Sequence, residues 1–182
     1  MINNTAHTKQ KGFTLVELLL VVALTSIAVG VTSDVLVSLV RGFNKSQVIN
    51  EIEQNANFIS QKLNKELRNA SEIIYLGGVT PTQEGTGDSI TIIDRDGTRI
   101  DYVVSDGVMT RSRALDDFAP LTHNTLPTGV TVTCPTACFT LLEDSPQVVQ
   151  ISLLIEQAGT PSTVVFKGDI SIEDTIVIRD TY

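Results

Sequence analysis

Hydrophobic residues change their spacing along this chain of 182 residues. Over residues 18–40 they form an almost unbroken run, long enough for a helix that crosses a membrane. Over residues 48–76 they recur every three or four positions with charged residues between them, which predicts an amphipathic helix with one buried stripe. Since the first proline is Pro81, one continuous helical stem is predicted. The predicted stripe consists of Val48, Ile52, Ala56, Ile59, Leu63, Leu67, Ala70 and Ile74.

After Gly77-Gly78 and a predicted loop over residues 79–88, short segments alternate apolar and polar residues, which indicates antiparallel β-strands. Asp96-Gly97 and Asp106-Gly107 separate the first three segments and are typical of hairpin turns, so a three-stranded meander is expected. An irregular connection is expected over residues 114–128. The predicted strands are 89–94, 99–104, 108–113, 129–134, 138–142, 148–155, 163–167 and 175–179. The predicted fold class is α+β, with a long N-terminal helix packed on an antiparallel β-sheet head.

A basic leader and one acidic residue mark the start of the apolar run. Lys9 and Lys11 precede it, and Gly12-Phe13-Thr14-Leu15-Val16-Glu17 places a carboxylate just inside it. On insertion scales, a charged side chain costs about 2.5–3.5 kcal/mol at the centre of a membrane and less near its edge. Glu17 therefore indicates a partner of opposite charge.

This segment resembles the processing and methylation site of type IV pilins and type II secretion pseudopilins. The resemblance implies that prepilin peptidase cuts between Gly12 and Phe13 and that the new amine of Phe13 is methylated. It also implies that Glu17 acts in filament assembly, where its carboxylate meets the terminal amine of a neighbouring subunit. The expected domains are a leader (1–12), a transmembrane or filament-core half of the stem (13–40), an amphipathic half (41–76) and a β head (77–182).

A stem followed by a hairpin meander is most similar to PilW-type minor pilins or to the J-type minor pseudopilin of type II secretion. The resemblance implies several partners: other pilin or pseudopilin subunits, prepilin peptidase, an inner-membrane assembly platform and membrane lipid. It further implies a single-pass protein of the inner (cytoplasmic) membrane whose head lies outside the cytoplasm, and later an extracellular or periplasmic filament.

Two other interpretations of the N-terminus stay open. An ordinary secretory signal would use Lys9 and Lys11 as its basic region and Ser26-Ile27-Ala28 as a cleavage site. Glu17 argues against this, because the hydrophobic region of a signal tolerates charge poorly. Alternatively, the stem anchors an exported binding domain that does not polymerise, although a simple anchor gains nothing from Glu17.

Asp34 interrupts the apolar run, so it must reach the membrane surface, pair with a cation or mark the end of the span. Ser26, Gly30, Ser38 and Gly42 fall on the same four-residue grid. Small residues at this spacing let helices approach closely. The two glycines are equally consistent with weak points in the helix.

The two cysteines, Cys134 and Cys138, enclose a short loop. In an exported protein this spacing favours a disulfide over free thiols. A metal site would need two further ligands, and the only histidines are His7 and His123. Asp94-Arg95-Asp96-Gly97 loosely resembles a calcium loop but lacks the rest of that motif, so a tight turn is preferred.

Charge and motifs narrow the function classes. The net charge is −8, and loss of the leader with Lys9 and Lys11 changes it to −10, so no nucleic acid partner is expected. The sequence contains no phosphate-binding loop, nucleophile elbow or metal-spaced cluster. Neither enzymatic activity nor a cofactor is therefore expected.

Overall fold

The computed structural model describes residues 12–80, 85–125, 129–159 and 168–178. The chain divides into two compact units, Met1–Asn44 and Lys45–Tyr182, and helix α1 (Leu15–Asn69) contributes residues to both. One long N-terminal helix followed by antiparallel sheets confirms the predicted α+β fold class. The leader before Gly12 and the strand predicted at 163–167 lie outside the described residues.

In the first unit, α1 exposes large apolar side chains around its whole circumference. Four of its hydroxyl groups are satisfied locally, because each of the four donates a hydrogen bond to a backbone carbonyl oxygen four residues earlier. These donors are Thr25, Ser26, Thr32 and Ser33. By length and composition α1 is able to cross a membrane, with an 18-residue window of mean hydropathy 2.3 that is 0% buried.

The helix ends at Asn69, and Ala70–Leu76 forms strand β1, so the predictions of a helix to residue 76 and of Ile74 in its stripe are wrong. The buried residues of β1 are Ala70, Ile73 and Leu76. Two irregularities in the pairing of β1 with β3 (Ser89–Asp94) shift the usual alternation of a strand. The resulting spacing of three imitates a helix, whereas Ile-Ile-Tyr favours a strand.

The first sheet has the order β1-β3-β4-β5-β6 and contains the predicted meander. Its remaining strands are β4 (Arg99–Ser105), β5 (Val108–Arg113) and β6 (Ala119–Pro120). Asp106 and Gly107, which turn the chain from β4 to β5, have φ values of 52° and 76°, as a tight hairpin turn requires. The two-residue β6 lies in a segment that was predicted to be irregular. The prediction missed β6 because apolar and polar residues do not alternate in this segment.

The second sheet has the order β10-β9-β8-β2, and β7 also pairs with β9. Its strands are β2 (Gly85–Gly87), β7 (Val130–Thr133), β8 (Phe139–Asp144), β9 (Gln147–Gln157) and β10 (Asp169–Val177). Strand β2 lies in a predicted loop, and β10 begins before the predicted start at residue 175. The sequence prediction missed residues 169–174 of β10, because Glu173 and Asp174 interrupt the apolar pattern. Asn64 of α1 donates a hydrogen bond to the Asp174 carboxylate, which makes this acid compatible with the strand.

Strands β7 and β8 lie along the same edge of β9. Strand β7 pairs with residues 154–157, and β8 pairs with residues 147–151. Residues 134–138 connect the two strands and interrupt the pairing with β9. The pairing resumes at Cys138, whose carbonyl accepts a hydrogen bond from the Ser152 N–H at 2.9 Å. Cys134 and Cys138 therefore lie at the two ends of the connection between β7 and β8.

The buried stripe of α1 shares one hydrophobic core with both sheets. Five of the predicted stripe residues are buried on α1, namely Ile52, Ala56, Ile59, Leu63 and Leu67. Val48 packs against this core and is partly buried. Full burial of one such aliphatic side chain contributes about 1.5–3 kcal/mol, so this stripe is the main attachment of the helix to the sheets.

Glu66 provides a polar contact between α1 and the first sheet. Its Oε2 accepts hydrogen bonds from Arg111 Nε at 2.9 Å and from the hydroxyl group of the fully buried Tyr102, and Lys62 Nζ lies 3.5 Å from Oε1. Burial acts to raise the pKa of Glu66, but the hydrogen bonds from Arg111 and Tyr102 outweigh it and hold the pKa below the ordinary 4.5. Burial and the hydrogen bond to Glu66 raise the pKa of Tyr102.

Gln147 joins the two sheets through its side chain. Its Oε1 accepts a hydrogen bond from the N–H of Ile73 in β1 at 2.7 Å, and its Nε2 donates to the Ile73 carbonyl at 3.4 Å. The side-chain amide of Gln147 thus makes the hydrogen bonds that a neighbouring strand would otherwise make with this edge of β1. The buried N–H of Ile73 is therefore satisfied.

The pKa of Glu66 generates a prediction about stability. Glu66→Gln removes a carboxylate that accepts two hydrogen bonds, so we expect the free energy of unfolding to fall by about 1–2 kcal/mol near pH 7. A group with a lowered folded-state pKa stabilises the fold above its unfolded-state pKa and loses this effect as the pH falls. The difference from the wild type should therefore shrink below about pH 4.5. Urea unfolding of the full chain in a non-ionic detergent, followed by circular dichroism, measures both effects.

The matched control is Glu53, an exposed acidic residue on a different face of the same helix. Glu53→Gln should change the free energy of unfolding by less than about 0.5 kcal/mol. Equal effects of the two substitutions, or a Glu66→Gln effect that does not change with pH, would contradict the assigned role of Glu66.

Candidate processing and assembly site

Gly12, Phe13 and Thr14 precede the first turn of α1 and are not helical. Thr14 caps the helix, because its Oγ1 accepts a hydrogen bond from the N–H of Glu17 at 3.3 Å and its carbonyl accepts one from the N–H of Leu18 at 3.2 Å. Threonine followed three residues later by glutamate is the spacing of a capping box. The peptide bond between Gly12 and Phe13 therefore lies outside the helix, in exposed chain.

The resemblance to the processing motif includes Thr14 but does not indicate that this residue caps the helix. The signal that could have found it is the Thr-x-x-Glu spacing directly before an apolar run. The cap fixes where the helix begins, and so it also fixes Glu17 in the first helical turn.

Glu17 is surrounded by exposed apolar side chains, including Phe13 at 78% and Leu18 at 60% exposure. The partial positive charge at the helix N-terminus favours a carboxylate in the first turn by about 0.3–1 kcal/mol. The four ion pairs found among the described residues involve other side chains. Among the described residues, the negative charge of Glu17 is therefore compensated only by the partial positive charge of the helix N-terminus and not by a cationic side chain.

Residues 7–33 match the family model of the prokaryotic N-terminal methylation motif. This match supports the predicted resemblance to the type IV pilin-like family over the N-terminal segment. The matched region contains Gly12, Phe13, Thr14 and Glu17. The chain has no significant match among curated proteins or solved structures.

The motif supports a type IV pilin-like precursor that is processed here and assembles with other pilin subunits. The apolar part of α1 has the length and composition of a membrane anchor. The matched motif and the apolar segment overlap in sequence, and the predicted cut after Gly12 lies just before the start of α1.

The second predicted site of this pilin-like protein, the cysteine pair, lies in the other unit. The Cα atoms of Cys134 and Cys138 are 4.8 Å apart and their sulfur atoms lie within bonding distance, which fits the predicted disulfide. The carboxylate of Asp88 lies within 4.8 Å of both sulfur atoms. Its Oδ1 also accepts a hydrogen bond from the N–H of Cys138 at 3.5 Å. A disulfide and a metal site would use the same sulfur atoms, so the two assignments exclude each other.

Asp94-Arg95-Asp96-Gly97 forms the turn between β3 and β4, as preferred from the sequence. The Asp94 carbonyl accepts a hydrogen bond from the N–H of Gly97 at 2.8 Å, and the Asp94 N–H donates to the carbonyl of Thr98 at 2.9 Å. The Asp94 carboxylate accepts from the N–H of Arg95 at 2.8 Å. This carboxylate therefore stabilises the turn through Oδ1, while its Oδ2 lies 3.8 Å from the guanidinium group of Arg113 on β5.

The cap at Thr14 generates a prediction about the start of the helix. Thr14→Ala removes the acceptor for the Glu17 N–H and should destabilise the first turn by about 1 kcal/mol, whereas Thr14→Ser keeps the acceptor. We expect faster amide hydrogen exchange at residues 15–18 in the alanine variant of the full chain in detergent micelles. Exchange at residues 21–24 should stay unchanged in both variants. Equal exchange at residues 15–18 in the alanine and serine variants would show that the hydroxyl group does not cap α1.

Proposed function

We propose that this protein is a minor pilin or pseudopilin, a structural rather than enzymatic subunit of a type IV pilus-like or type II secretion filament. Prepilin peptidase cuts between Gly12 and Phe13, and the new amine of Phe13 is methylated. The head remains attached through α1 and is displayed by the assembled filament. The methylation motif and the exposed, non-helical peptide bond after Gly12 support this proposal.

One observation carries the proposal: Glu17 lies in the first turn of an exposed apolar helix, and no cationic side chain among the residues from Gly12 onward that the structure describes pairs with it. An unpaired charge in apolar surroundings is costly, and a partner that supplies the opposite charge offsets much of this cost. The terminal amine of a processed neighbouring subunit is such a cation. A helix that served only as an anchor would be better off with an apolar residue here.

The same end of the chain supports a topology. Lys9 and Lys11 hold the leader in the cytoplasm, so α1 crosses the inner membrane once and the β-strands lie outside the cytoplasm. The subunit then meets prepilin peptidase at the membrane, an inner-membrane assembly platform during extraction, and other pilin or pseudopilin subunits in the filament. The predicted disulfide between Cys134 and Cys138 suits such an oxidising compartment.

Processing is tested by Gly12→Leu. A bulky side chain before the cut should leave the leader attached, because the peptidase recognises the small residue there. Mass spectrometry of the N-terminus of the membrane-extracted protein measures this: the wild type should begin at a methylated Phe13 and the variant at its original start. Gly30→Leu, which lies outside the processing site, is the control and should be cut normally. A mature N-terminus near residue 29 would instead indicate ordinary secretion.

Assembly is tested by Glu17→Ala. We expect this variant to be cut and to stay in the membrane, but to be reduced at least about tenfold in the sheared filament fraction because the neighbouring amine loses its partner. Glu53→Ala, an exposed acid on the same helix, should be incorporated like the wild type. Normal incorporation of Glu17→Ala would favour the alternative, an exported binding domain that is anchored by α1 and does not polymerise.

A further inference from the structure

Asp34 and Arg41 are two further charges in the exposed apolar part of α1, and the proposed function does not use them. Side chains on one helix pair when they are three or four residues apart. The residues at these distances from Asp34 are Gly30, Val31, Val37 and Ser38, none of which is a cation. The residues at these distances from Arg41 are Val37, Ser38, Asn44 and Lys45, none of which is an acid. Neither charge is therefore compensated by its own helix.

The two charges nevertheless lie on the same face of α1. Seven residues are nearly two full helical turns, so the directions of the two side chains differ by only about 20°. Along the helix axis they are about 10.5 Å apart, too far for a direct ion pair within one chain. The four ion pairs among the described residues include neither of them. One face thus presents an unpaired anion and an unpaired cation at a fixed separation.

Small residues flank Asp34 on this face. Gly30 lies one turn before it and Ser38 one turn after it. Apart from the adjoining helix backbone and the two sequence neighbours, no described atom lies within 4 Å of the position that a Cβ of Gly30 would occupy. Small residues let a second helix approach closely, which brings polar groups within reach of each other. The face around Asp34 therefore has room for the side chain of a neighbouring helix.

We propose that this face binds a second copy of the same chain, parallel to the first and displaced by seven residues, so that the carboxylate of Asp34 pairs with the guanidinium group of Arg41 of the neighbour. This inference rests on the proposed function. The displacement satisfies one anion and one cation at each contact and places Val37 of one copy opposite Gly30 of the other. It leaves the Arg41 of one copy and the Asp34 of the other free for further neighbours, so the contact does not close on itself.

Other arrangements of two copies fit the charges less well. Parallel helices without displacement place Asp34 beside Asp34, and like charges repel in a medium of low polarity. Antiparallel helices would pair the charges but would put the two heads on opposite sides of a membrane. The parallel, displaced pair compensates the charges with both heads on one side.

The register is tested by disulfide cross-linking of the full chain in its native membrane. Gly30 and Val37 are also seven residues apart and lie opposite each other in this register, so Gly30→Cys in one copy and Val37→Cys in a second, differently tagged copy should cross-link. Two copies that both carry Gly30→Cys, or both carry Val37→Cys, should not cross-link, because their sulfur atoms would be about 10.5 Å apart along the axis. A chain without added cysteines controls for Cys134 and Cys138.

The charge pair is tested within the same cross-linking experiment. Asp34→Asn in both copies should lower the yield of the mixed cross-link about threefold, a typical effect of one polar contact between membrane helices. Asp34→Arg alone should lower it at least as much, and Asp34→Arg combined with Arg41→Asp should restore it. Ser33→Asn, one residue away and off the charged face, should leave the yield unchanged.

The inference is overturned if the same-position pairs cross-link as well as the mixed pair, or if the charge exchange does not restore the yield. Mass spectrometry of the same membranes shows whether Phe13 is the methylated N-terminus, and the filament fraction shows whether the chain is incorporated. Normal processing and incorporation without the mixed cross-link would reject the Asp34–Arg41 contact and leave the proposed function intact. Absence of processing would reject the proposed function itself.

Discussion

Large apolar side chains lie exposed on α1 from Leu15 to Phe43, and this half of the helix therefore needs surroundings of low polarity. Each side chain of this kind gains about 1.5–3 kcal/mol when it leaves water. Lipid and a bundle of similar helices both provide that gain, so it does not decide between them. What favours neighbouring helices over lipid must be specific: close packing at small residues and compensation of charge.

The acidic residues in the two halves of α1 differ in whether the chain itself supplies a partner for their charge. Glu66 lies over the first sheet, where Arg111 and Tyr102 bind its carboxylate and hold it ionised. Glu17 and Asp34 lie where no strand of the chain supplies a cationic group among the described residues. The first arrangement stabilises the head from within. The second leaves the charges of the apolar half without an ion-pair partner in the described part of the chain, which is the situation that the proposed contacts between subunits would resolve.

Local patterns predicted those parts of the fold that depend on local order. The stripe from Ile52 to Leu67 and the meander with turns at Asp96-Gly97 and Asp106-Gly107 follow from periodicity and turn chemistry. The end of α1 did not follow, because the bulges of β1 bury residues at a spacing that a helix would also give. The motif identified Glu17, whereas Glu66 was unremarkable in the sequence, since its partners lie 36 and 45 residues further along.

The cysteine pair has a local rather than a global effect on the head. A disulfide that closes so short a loop contributes only about 2 kcal/mol by the chain-entropy model. Its position matters more than this free energy, because Cys134 follows β7 and Cys138 precedes β8, and both strands pair with the same edge of β9. A bond between the two ends keeps the strands in line where the pairing is interrupted. The hydrogen bond from the Cys138 N–H to Asp88 then ties this interruption to the residue that precedes β3.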